Sequence, residues 1–214
     1  LLRPPNGRYV LRANFWRARA DSAPRRSGPA AFFYDLPHDH NFHFLTYGYL
    51  GPGYWSDYYE YDAAPLTGLP GEHAGLRFVE RARLEPGRLM LYRMRRDVHV
   101  QLPPDSMSVS LNILAADPAQ PWLDQYRFDS GRGTIAEGLT VTAAEALVAI
   151  AVHVGNGLDL AERFALRHPC ARMRVTALDA LVSALPGEAP MLLSRATDDP
   201  DRFVAGHARA RLAP

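Results

Sequence analysis

The residues best suited to chemistry lie in His38-Asp39-His40-Asn41-Phe42-His43, where five of six side chains are polar and three are imidazoles, out of eight histidines in 214 residues. On an extended strand, residues i and i+2 share a face, so His38 and His40 can offer two ring nitrogens to one metal ion. His43 has the opposite parity unless the chain turns, and Asn41 suits such a turn. A third imidazole, His99, stands in the alternating segment Asp97-Val98-His99-Val100-Gln101. Three neutral nitrogen ligands suit Fe(II), Zn, Mn, Ni or Cu. His73, His153, His168 and His207 lack convergent neighbours in sequence and read as surface or cap residues.

Positioning three imidazoles requires a rigid scaffold, and residues 1–128 read as one. Short aromatic and β-branched runs alternate with turns such as Pro5-Asn6-Gly7, Gly51-Pro52-Gly53, Pro70-Gly71 and Pro86-Gly87. That texture predicts an all-β unit. Strands are expected near residues 8–16, 31–34, 42–49, 54–62, 76–84, 88–93, 97–102 and 107–115, enough for a sandwich or small barrel. From residue 134 to 214 the chain becomes rich in Ala and Leu at helical spacing, with Asp129–Gly133 as the junction. Helices are expected over 143–154 and 158–166, the first opened by a Thr142/Glu145 capping box. Within this all-α half, the segment from His168-Pro169 can be laid over that from Asp199-Pro200 at an offset of 31, like a short HEAT-type repeat.

Composition narrows the function. Lys+Arg at 24 against Asp+Glu at 23 gives a net charge of +1, which argues against nucleic acid as a partner. Every basic residue is arginine, so Schiff-base chemistry, a P-loop lysine and a lysine base are excluded. No GxGxxG, Walker A or GxSxG string occurs. The single cysteine, Cys170, cannot form an internal disulfide, and no run of about 18 apolar residues suggests a membrane span. A cytoplasmic protein is expected. The chain begins at Leu1, so residues upstream of it are expected to be missing.

At residues 30–115 the chain resembles the cupin superfamily. Its first motif has three or four residues between HxH and a glutamate, then six residues between that glutamate and a glycine. Here His38-x-His40 is followed at that spacing by Phe44 and Gly51. A histidine pair without the carboxylate is similar to the thiol dioxygenase branch, and Pro37-His38-Asp39-His40 resembles the metal-binding string of cysteine dioxygenases. The resemblance implies a cupin-like barrel or jelly roll, a three-histidine iron site with His99 as third ligand, and a homodimer through edge strands. The sequence departs from the pattern at Phe32, where the motif has its leading glycine, and at Arg93 and Arg95 before His99. Because Cys170 lies in the helical half, a cysteine–tyrosine crosslink in the β half is ruled out.

Other residues are candidates for the reaction itself. If Gly51-Pro52-Gly53 turns a hairpin, Glu60 lies across from His43 and can serve as ligand or base. Gln101 shares a strand face with His99 and can bond a metal-bound water or substrate. Arg93 and Arg95 can fork onto a substrate carboxylate, and Tyr49 can line the barrel mouth. The expected activity is that of a non-haem Fe(II) oxygenase using O2 on a small carboxylate-bearing or amino-acid-derived molecule. The alternatives are a Zn- or Mn-dependent isomerase or hydrolase, and a non-catalytic ligand-binding module whose helical tail docks a protein.

Overall fold

A computed structural model describes residues 7–213; Pro5 and Asn6 of the expected first turn lie outside them. It divides into two units, one of residues up to 66 with 70–140, the other of residues 67–69 with those from 141 onward.

The β unit is layered. One sheet runs in the order β1 (Tyr9–Trp16), β7 (Ser108–Ala115), β2 (Phe44–Leu50), β5 (Leu89–Tyr92). A second runs β4 (Arg77–Arg83), β3 (Trp55–Glu60), β6 (Asp97–Gln101). Every pairing is antiparallel. Alternation decides the core: Phe44, Tyr92 and Leu114 from the first sheet meet Tyr58 and Ala82 from the second. A separate hairpin, β8 (Tyr126–Asp129) with β9 (Thr134–Gly138), contributes Tyr126, Phe128 and Ile135 to a core that includes Val98 and Tyr61.

Three expectations are corrected here. The segment 31–34 is not a strand: a 3-10 turn occupies Pro29–Phe32, and positive φ at Phe33 and Asp35 (58° and 59°) breaks the extension. Gly51-Pro52-Gly53 does not close a hairpin, because β2 pairs with β5 and β7 while β3 pairs with β4 and β6. It carries the chain from one sheet to the other. A Cβ at Gly53, where φ is 77°, would stand 2.1 Å from the Leu84 carbonyl oxygen. Thirdly, residues 134–138 form a strand, not the start of a helix, because the Asp129–Gly133 turn folds them back onto β8. The β unit therefore ends near Thr140.

The other unit is helical: α2 (Ala143–Val154), α3 (Leu158–Arg167), α4 (Ala171–Ala184), α5 (Ala189–Ala196) and α6 (Arg202–Leu212), after a short α1 (Ser22–Ser27) in the β unit. Thr142 and Glu145 form the expected capping box. Helices α5 and α6 begin 31 residues after α3 and α4, and Met173, Ala177, Val204 and Ala208, at that same offset, are all buried. No helix among the described residues is long and apolar enough to cross a membrane.

Candidate metal centre

Two elements bring three imidazoles together. His99 sits mid-strand on β6, and His38 lies on the irregular segment after Pro37, joined to it by a reciprocal backbone pair: His38 N donates to His99 O (3.1 Å) and His99 N to His38 O (3.0 Å). His40, two residues on, shares the face of His38. Its carbonyl accepts from Arg95 N (2.9 Å), which ties the segment to the turn before β6. Between the two histidines, Asp39 points the other way and is fully buried. Its carboxylate accepts from Tyr61 OH (2.5 Å) and Tyr126 N (2.6 Å). Burial pushes that carboxyl up to about 6, against the pull of these hydrogen bonds. Asp39 is thus an anchor that fixes which way its neighbours face.

The Nε2 atoms converge. His99 Nε2 stands 3.1 Å from His38 Nε2 and 3.1 Å from His40 Nε2. All three ligand atoms fall within 4.8 Å of one another. Nitrogens bound to one ion at about 2.1 Å stand about 3.0–3.4 Å apart at octahedral to tetrahedral angles, so the spacing fits a shared ion. His38 Nδ1 donates to the Leu36 carbonyl (2.8 Å), which leaves the Nε2 lone pair free to bind metal. Burial lowers the pKa of all three, and the neighbouring imidazoles push His40 and His99 down further. The rings are therefore neutral at pH 7, the form that ligates metal.

A cavity of about 460 Å³ opens onto these rings. Phe42, Phe44, Phe32 and Trp16 give it apolar walls, while Asn14, Gln101, Asn112 and Gln125 give it carboxamides. Its lining contains no carboxylate and one cation, Arg12 of β1. Arg12 Nε is buried without a hydrogen-bond partner, and desolvation lowers the guanidinium pKa. Tyr54 lines the cavity too, accepting from Gln101 Nε2 (3.4 Å).

The structure thus brings His38, His40, His99 and Gln101 to one cavity and places the other candidates elsewhere. Glu60 opposes Arg77 and Asp97 instead of His43, and its carboxylate is held by Arg77 and Arg93. Those ion pairs, Arg93 first, lower its pKa. Arg93 is also committed to Asp97, through contacts of 2.6–3.1 Å. Arg95 adopts a positive φ of 53° and lines a different hollow, beside Glu60 and His73. Tyr49 is 58% exposed on the outer side of β2. His43 accepts a hydrogen bond from Met94 N (3.1 Å) outside the cavity. Arg12, Asn112 and Tyr54 escaped notice in the sequence because no local motif surrounds them. The signal was parity: Arg12 and Asn112 are register partners on the inward parity of β1 and β7, which also carries Asn14, Ser108 and Ser110.

No family model matches the chain, and no curated protein matches it. Solved structures do match, among them the L-ribose isomerase of Cellulomonas parahominis with L-psicose, at 16% identity and a TM-score of 0.27 over 60% of this chain and 74% of that one. A likeness of that degree carries neither a family nor an activity to this chain, and the three-histidine centre stands on its own geometry.

Proposed function

We propose that this chain is a metal-dependent enzyme in which His38, His40 and His99 hold one divalent ion and Arg12 holds an anionic group of a small substrate. The convergence of three neutral Nε2 atoms at the floor of one cavity carries the reading. When bound, the ion supplies open coordination positions for substrate and either Lewis acidity or a site for dioxygen. Everything else is done by the chain. Three neutral ligands leave the ion's positive charge uncompensated, and Arg12 adds to it, so an anion is the natural occupant. The aromatic walls exclude water around that charge, which strengthens its attraction for the anion. Gln101 and Asn112 offer donors and acceptors to a hydroxyl, amine or bound water without taking a proton.

Oxygenation with Fe(II) is the first reading, because it needs no carboxylate base and the cavity lining holds none. A Zn or Mn Lewis-acid isomerase or hydrolase is the second, favoured by the four carboxamides, which suit a hydroxyl-rich substrate. The first test is elemental analysis of protein purified without added metal, beside His40→Ala and His99→Ala. About one equivalent in the wild type, lost in both variants, is the expected result. A wild type that carries no metal and takes up none of Fe(II), Mn or Zn overturns it. Turnover that stops without O2 selects oxygenation; turnover that continues selects the Lewis-acid reading.

A further inference from the structure

The fold uses the polar side chains of the cavity only in part. Asn112 Nδ2 donates to Ser110 Oγ (3.3 Å), which also accepts from Trp16 Nε1 (2.9 Å), and Gln101 Nε2 donates to Tyr54 OH (3.4 Å). Each of these two buried carboxamides thus engages one N–H, and its carbonyl oxygen has no partner among the described residues. The Asn14 and Gln125 side chains, half-buried in the same lining, make no hydrogen bond among the described residues. Arg12, the register partner of Asn112, adds its buried and unpartnered Nε. The apolar lining is as selective: apart from Ala13 it is aromatic throughout, with Trp16, Phe42, Phe44 and Tyr54 among its rings.

We infer that the cavity takes a sugar acid: a polyhydroxylated carboxylate whose acid group lies on Arg12, whose hydroxyls bond the carboxamides, and whose C–H faces lie on the aromatic walls. The inference rests on the reading of this cavity as a substrate site beside a metal ion, and it holds for either reaction. A guanidinium fork matches a carboxylate. Buried carbonyl oxygens beside it need O–H or N–H donors, because a ligand without them leaves those acceptors desolvated and unpaired. A hydroxyl both donates and accepts, as a carboxamide does, so four carboxamides from four separate segments can follow a chain of hydroxyls. Aromatic faces are electron-rich and favour C–H bonds polarised by neighbouring oxygen atoms over plain hydrocarbon. A hydrocarbon acid satisfies Arg12 alone. An ammonium group brings donors, but Arg12 and a bound cation repel it, and the lining holds no carboxylate to balance its charge.

Calorimetric titration of the full chain, loaded with whichever of Mn or Zn it takes up, tests the inference with D-glucuronate, D-galacturonate and D-gluconate as probes. Among the comparators, D-glucose lacks the acid, cyclohexanecarboxylate lacks the hydroxyls, and D-glucose 6-phosphate carries phosphate in place of the carboxylate. At least one sugar acid is expected to bind about tenfold or more tighter than every comparator. Arg12→Met is expected to weaken that acid about 30- to 1,000-fold while changing glucose binding little. Gln101→Met and Asn112→Leu are each expected to weaken it about 10- to 100-fold and to leave cyclohexanecarboxylate unaffected. Wild-type metal content in all three variants shows that they fold. Binding of glucose or cyclohexanecarboxylate as tight as that of the best acid overturns the inference, and a tighter hold on glucose 6-phosphate overturns it in favour of a phosphate ester. A chain that takes up metal but binds none of the three acids overturns the substrate class and leaves the metal centre standing. A chain that takes up no metal overturns the metal reading instead, and the same titrations of the metal-free chain then decide the class, because Arg12 and the carboxamides are not ligands of the ion.

Discussion

On the proposed reading, Arg12 separates two tasks of the cavity, holding metal and holding substrate. Its guanidinium lines the same space as His38, His40 and His99 but contributes no ligand atom. Arg12→Met is therefore expected to keep the metal and lose the substrate, raising KM or lowering kcat/KM by about 30- to 1,000-fold, the 2–4 kcal/mol of a severed buried charge contact. Metal analysis beside steady-state kinetics checks it, and loss of metal in this variant would sink the division of labour. At this scale the sequence was half legible. His38 and His40 announce themselves by spacing, and Gln101 by its parity with His99. Glu60, Arg93 and Arg95 misled because side-chain type does not reveal partners: Glu60 and Arg93 are bonded to each other.

Among the elements, α2 shows how a local signal becomes structural. Thr142 N donates to Glu145 Oε2 (2.6 Å), Glu145 N to Thr142 Oγ1 (3.3 Å), and Arg172 Nε of α4 to Glu145 Oε1 (2.6 Å). Burial alone would raise the Glu145 carboxyl, but the hydrogen bonds from Thr142 and Arg172 outweigh it and hold it below its ordinary value. A carboxylate so held stabilises the fold above its unfolded value of about 4.3, and that contribution is lost as pH falls through its lower, folded value. Glu145→Ala is expected to cost about 2–3 kcal/mol at pH 7, by loss of the cap and of a buried charge partner. Urea unfolding followed by circular dichroism at 222 nm checks it, and the difference from wild type should shrink as the pH is lowered past 4. The capping box and the offset of 31 were readable because both are local patterns. The turn at 51–53 was misread because sheet membership is decided by partners far along the chain.

For the molecule as a whole, the two units have separate cores, and Trp16, Trp55 and Trp122 all belong to the β unit. A bound ion stabilises only the unit that binds it, by about 4 kcal/mol at a thousandfold excess over Kd. Chelation with EDTA is accordingly expected to lower the melting temperature read by tryptophan fluorescence while leaving the helical transition at 222 nm in place. Equal shifts in both signals would mean that the units unfold together.

By itself, the sequence determined the change from β to α texture, most strand positions, the helix caps and the HxH pair, because propensity, turn chemistry and parity act over a few residues. Only the tertiary structure decided that β2 and β3 lie in different sheets, that His99 joins His38 and His40 in one cluster through a backbone pair with His38, and that Arg12, 26 residues before the histidines, shares their cavity. Those are contacts between distant segments. Whole-sheet registers set them, and no single segment carries that information.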